Sequence, residues 1–93
     1  SGPKYLDDET LYRLTTSTDV DQAFFTMLMD TLFPHEPERS LPVQDRDRSK
    51  VAYAKEVYGS LRSPTDAIAR RDWTRYTTRY NEVVKKRRKR EEE

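Results

Sequence analysis

Residues 18–34 read Thr-Asp-Val-Asp-Gln-Ala-Phe-Phe-Thr-Met-Leu-Met-Asp-Thr-Leu-Phe-Pro, the densest apolar stretch of the chain. Val20, Phe24, Met27, Leu28 and Leu32 recur at helical spacing, and Phe25, Met29 and Phe33 widen the same face. Thr18-Asp19-Val20-Asp21 supplies capping residues in front of it. Pro34 closes it, because a proline disfavours helical geometry at the residue before it. The spacing therefore predicts an amphipathic helix that provides the centre of the core. Met27 and Met29 read as gap-fillers on that face.

Working outward, Leu6-Asp7-Asp8-Glu9-Thr10-Leu11 predicts a short first helix. Asp7 is the N-cap, Leu6 and Leu11 have the spacing of a hydrophobic staple, and the three acids fall where the helix dipole favours them. On the other side, residues 34–47 carry Pro34, Pro37 and Pro42 among charges and read as a long connector, pinned to the core by Leu41 and Val43. His35 lies here as a solvated loop residue. A third helix is predicted over about Arg48 to Leu61 with Val51, Ala54, Val57, Tyr58 and Leu61 on one face, and Gly59 as a termination site. Ser63-Pro64-Thr65-Asp66 is a capping box with proline at the first helical position. Beyond it, either one long helix continues to Arg90 or Asp72 caps a separate final helix starting at Trp73. In both cases Trp73, Tyr76, Tyr80 and Val83/Val84 form the stripe that meets the core. No two-residue alternation competes. The expected fold is all-α, a single compact domain of four to five helices with a long basic C-terminal helix. Residues 1–4 are expected to be a disordered or extraneous lead, 5–90 the domain, and 91–93 an acidic tail.

The 93 residues are 33% hydrophobic and 38% charged, enough for one modest core. Zero Cys and a single His exclude disulfides, zinc fingers, thiol catalysis and any His-based triad or metal cluster. No apolar run approaches the roughly 18 residues of a membrane span, and no secretory leader is recognisable. Paired carboxylates such as Asp7/Asp8 and Glu36/Glu38 sit where capping and solvation explain them. No enzyme, cofactor, metal, membrane or small-molecule substrate is expected.

Charge is distributed unevenly. The net charge is +1, yet residues 1–45 hold three basic and nine acidic residues, net −6, while 46–93 hold fifteen and eight, net +7. Between Arg70 and Arg90 there are ten basic residues against Asp72 and Glu82. Such polarity predicts a surface for a polyanion.

On the last helix Arg71, Arg75 and Arg79 are four apart and form a row, continued by Lys86 and Arg90. Arg75, Thr78, Arg79 and Asn81 are expected to face outward, away from the aromatic stripe. A helix fits the DNA major groove, where Arg pairs with guanine, Asn pairs with adenine, and Lys and Arg neutralise phosphates. Lys85-Lys86-Arg87-Arg88-Lys89-Arg90 reads as a phosphate clamp, a nuclear localisation signal or a solvated tail. Lys50 and Arg62, with Arg48 and Arg70, are further cations that could flank a duplex. The expected DNA-binding set is Arg71, Arg75, Thr78, Arg79, Asn81, Lys85, Lys86, Arg87 and Arg88, with Lys50 and Arg62 beside it. Tyr76 and Tyr80 read as core residues, which argues against a single-strand stacking platform.

In the order of its elements the chain resembles a BEN domain. Ala23–Glu36 is similar to that family's apolar helix, which ends in a Leu-Phe pair and an acidic residue. A variable loop, the helix around Ala52–Tyr58, and then Trp73, Tyr80-Asn81 and Lys85–Lys89 follow in the family's order over about residues 5–90. The loop 34–47 and Val83-Val84 depart from its usual pattern. The resemblance implies sequence-selective binding of double-stranded DNA with the C-terminal helix at the major groove and loops on the backbone. It further implies a nuclear, chromatin-associated role in transcriptional regulation, by repression. A protein-interaction or self-association module is the alternative, with a second copy or a chromatin co-repressor as partner.

Overall fold

The computed structural model describes residues 2–62 and 65–92. Helix α1 spans Asp8–Thr16, α2 Asp21–Leu32, α3 Arg48–Arg62 and α4 Asp66–Glu92, and two short 3-10 turns, Glu38–Ser40 and Val43–Asp45, lie between α2 and α3. The architecture is all-helical, with no strand among the described residues.

Helix α2 is the central element, as its apolar density requires. Phe24, Phe25, Leu28, Met29 and Leu32 are all buried. Phe25 is the hub of an aromatic cluster, with ring centroids 5.0 Å from Trp73, 5.7 Å from Tyr80 and 6.3 Å from Tyr58. Edge-on aromatic pairs at such distances add stability beyond the area they bury. Helices α3 and α4 both deliver residues to this cluster: Ala54, Val57 and Tyr58 from one, Tyr76, Tyr80 and Val84 from the other.

Local signals account for most helix ends. Asp7 caps α1, its Oδ1 accepting from the Thr10 amide at 2.8 Å; the Thr10 side chain and then its amide hold the Asp7 carboxyl below its usual range. Leu6 and Leu11, the expected staple, are half-buried against the core. Asp47 caps α3 by accepting from the amides of Ser49 and Lys50 at 2.9 and 3.1 Å. At α2 the cap differs from expectation. Val20 occupies the N-cap, where an apolar side chain can accept no bond, and the Thr18 hydroxyl accepts from the Val20 amide instead.

Gly59 does not end α3, which runs on to Arg62. The extra turn is held by the Arg62 side chain. The choice left open at the C-terminus resolves to one continuous helix, α4. Asp72 does not cap a new helix: it lies inside α4, buried, between Arg71 and Arg75. Ser63 and Pro64 of the anticipated capping box lie outside the described residues. The Thr65 hydroxyl accepts from the Ile68 amide at 3.2 Å, an N-cap bond.

The connector is held at its far end. Val43 is buried and Leu41 half-buried, as expected of pins. The stronger tether is Arg46, only 4% exposed. Its guanidinium lies between the rings of Phe33 and Tyr80, 5.0 and 5.1 Å from their centroids. It donates to the carbonyls of Leu41 and Arg39 and to the Tyr80 hydroxyl at 2.9, 3.0 and 3.1 Å. The radius of gyration is 13.0 Å, close to the roughly 12 Å of a compact globule of this length.

Candidate nucleic-acid interface

Helix α4 has 27 residues and at about 1.5 Å per residue is about 40 Å long, matching the molecule's longest extent of 41 Å. Asp72, Tyr76, Tyr80 and Val84, four apart, are its buried positions. Four residues turn a helix by about 400°, so such a row slants around the axis, and the row one residue earlier runs parallel to it. That neighbouring row is Arg71, Arg75, Arg79, Val83.

This geometry corrects one expectation. Val83 and Val84 were both assigned to the core stripe, but Val84 is 2% exposed and Val83 45%. Only Val84 continues the row of Tyr76 and Tyr80; Val83 falls on the row of arginines.

The cations divide into two groups. Arg79, Lys85, Lys86 and Arg88 are exposed, with no hydrogen bond or ion pair to the chain among the described residues. Arg70, Lys89 and Arg90 share this state. Thr78 is also exposed, its hydroxyl turned back to the Thr74 carbonyl at 2.9 Å. Arg71 and Arg75 are in between. Each places a guanidinium nitrogen 3.3 Å from the same Asp72 oxygen, yet their side chains remain 68% and 49% exposed. The two residues together keep one net positive charge at the surface, and Arg75 also lies over the Tyr76 ring at 5.1 Å.

Four expected site residues are committed inside the domain. Arg62, its side chain 11% exposed, bonds Asp21 at 3.1 Å and lies 4.4 Å from the Phe24 ring centroid. It also donates to the carbonyls of Thr15 and Thr18, both at 2.6 Å. It neutralises the C-terminal end of α1, where unpaired carbonyls favour a cation. Lys50 does the same for α2, which has no basic residue in its own last turn. Its ammonium donates to the Leu32 carbonyl at 3.2 Å and lies 5.4 Å from the Phe33 ring centroid. Asn81 spends both ends of its amide on the connector. It accepts from the buried Val43 amide at 2.9 Å and donates to Gln44 Oε1 at 3.0 Å. Adenine pairing from this geometry would require breaking those bonds. Arg87 forms a two-pronged pair with Asp30, each contact 3.3 Å, and that bond holds its charge more firmly than usual.

Asp30, Tyr80, Arg46 and Arg87 form one chain of contacts. The Tyr80 hydroxyl donates to Asp30 at 2.7 Å and accepts from Arg46. Burial, reinforced by the bond to Asp30, raises the Tyr80 pKa above the ordinary phenol value. This network fixes α2, α4 and the connector together and so sets how the outer face of α4 is presented. Beside it a cleft runs between connector and helix, lined by Ser40, Gln44, Thr78, Asn81, Lys85 and Arg88. Ser40 and Gln44 lie 34 or more positions from these helix residues, so no local pattern announces their presence there.

No helix among the described residues is long and apolar enough to cross a membrane. Comparison of the chain with protein-family models, with curated proteins and with solved structures finds no match to any of them.

Proposed function

We propose that this domain binds double-stranded DNA sequence-selectively, seating the outward face of α4 in the major groove. The carrying observation is the set of exposed cations on α4, Arg79, Lys85, Lys86 and Arg88 among them, that have no side-chain partner among the described residues. Arg46, Lys50 and Arg62 satisfy carbonyls and aromatic faces of the domain itself, and the exposed Arg13, Arg39, Arg48 and Lys55 are scattered over other elements. The concentration of exposed cations on the single helix α4 supports an external anion as their counterpart. Lys85, Lys86 and Arg88 suit phosphates on both sides of a groove, and Arg79, flanked by Arg75 and Thr78, suits base edges. The resemblance to BEN domains supports the same reading and adds its setting, a nuclear, chromatin-associated regulator that represses transcription.

Selection from random duplexes tests this. An enriched motif is expected, and Arg79→Ala should relax one position of it at a cost of about 1–3 kcal/mol. Absence of any enriched motif would refute the proposal.

A second reading, pairing through the acidic half of the chain, has one observation in its favour. Tyr12 is 60% exposed on α1, next to the exposed Asp8 and Glu9, an aromatic on an acidic face suited to a basic partner.

A further inference from the structure

Val83 is the one exposed apolar side chain on α4 between Arg70 and Glu92 among the described residues. A lone exposed valine elsewhere would need no account. Here it occupies the row Arg71, Arg75, Arg79, Val83, with Lys86 and Arg87 one turn further on. It makes no contribution to the core, which Val84 already fills at 2% exposure. A β-branched residue is also among the weaker helix formers, so the position gains nothing in local stability over alanine or lysine. A site that breaks a local preference without a packing gain is where function is to be sought.

Hydrogen-bonding groups dominate the base edges of the major groove, and the C5-methyl of a pyrimidine is the apolar exception. Arginine and lysine offer that methyl nothing, whereas the two γ-methyls of a valine meet it directly. We infer that Val83 contacts a pyrimidine C5-methyl group, that of thymine or of 5-methylcytosine, about two base-pair steps from the base met by Arg79. This rests on the reading of α4 as the groove-facing element. One helical turn separates Arg79 from Val83, a rise of about 6 Å, which spans roughly two base-pair steps.

The test uses the whole chain and the duplex recovered by selection. Thymines are replaced one at a time by deoxyuridine, and cytosines one at a time by 5-methylcytosine. Wild type and Val83→Ala are compared on every duplex; the substitution is at an exposed position, and thermal melting verifies its fold. For wild type, one deoxyuridine should weaken binding about three- to fivefold, or one 5-methylcytosine strengthen it as much, the worth of one buried methyl. Val83→Ala should abolish that sensitivity and no other. The responsive arm identifies the source of the methyl group. A wild type indifferent to every C5-methyl, or a sensitivity that survives in Val83→Ala, overturns the inference while leaving DNA binding intact. Failure to recover any duplex overturns both.

Discussion

Replacing Arg62 by alanine should destabilise the fold strongly without touching the exposed cations of α4. Its guanidinium makes two bonds of 2.6 Å to the Thr15 and Thr18 carbonyls and one of 3.1 Å to Asp21. Charge-assisted bonds contribute about 1.5–3 kcal/mol each, so the two carbonyl bonds alone represent about 3–6 kcal/mol before the cost of burying the charge is subtracted. Breaking a buried ion pair costs about 3–5 kcal/mol. Asp21 keeps 35% of its side chain exposed and can rehydrate, which places the loss at the low end, about 3 kcal/mol. For a domain of this size that is a fall in Tm of about 12–24 °C. Arg62→Lys keeps the charge but cannot serve both carbonyls and Asp21 from one planar fork, so it should recover only part of the loss. Urea unfolding of wild type, both variants and Arg79→Ala as control provides the measurement. Arg79→Ala should lie within about 0.5 kcal/mol of wild type. An Arg62→Ala protein as stable as wild type but weakened in DNA affinity would refute this reasoning and return Arg62 to the outer surface.

Asn81→Ala should cost about 1–2 kcal/mol in urea unfolding, since it strands the amide of the buried Val43. Its effect on DNA affinity should be the same for every sequence, in contrast to a base-reading residue. Tyr80, whose folded pKa lies above the unfolded value, contributes stability that is fully present below pH 10 and lost as pH rises through the folded value. Alkaline unfolding followed by circular dichroism should therefore show a transition above pH 10 that Tyr80→Phe attenuates. Glu82, exposed among the cations of α4, should repel phosphate. Glu82→Gln is expected to tighten binding to non-specific duplexes in a fluorescence titration, and unchanged affinity would remove that role. If acidic and basic halves of two copies pair instead, sedimentation should show oligomers at low salt that dissociate as screening rises; a monomer throughout would remove that pairing.

The helices α1 and α2 were legible because local signals coincide there: Asp7 with its staple, the apolar face from Phe24 to Leu32, Pro34 behind it; Val20, expected on that face, is instead the exposed N-cap residue. One feature of α4 was not legible. Whether Asp72 caps a helix or sits inside one depends on Arg71 and Arg75 sharing its charge, which local spacing does not decide. The outward position of Val83, by contrast, was present in the spacing. Tyr76 and Tyr80 fix the phase of the buried row, and four residues further lies Val84. The roles of Arg46, Lys50 and Arg62 left no trace in local pattern, because the carbonyls and rings that hold Lys50 and Arg62 lie up to 47 positions away. A cation counted in sequence is therefore a poor guide to a cation available at the surface. Of the expected site, Arg71, Arg75, Thr78, Arg79, Lys85, Lys86 and Arg88 are exposed on one helix, Arg71 and Arg75 sharing the charge of Asp72, while Asn81, Arg87, Lys50 and Arg62 serve the domain itself.

The most direct measurement is the salt dependence of duplex affinity for wild type and for Lys85→Ala, Lys86→Ala and Arg88→Ala. With about six phosphates neutralised by α4, the slope of log K against log salt should be about −5 to −6, and each substitution should make it shallower by about one. A flat wild-type slope, or one that none of the three substitutions alters, would contradict the assignment of α4 as the DNA-binding element.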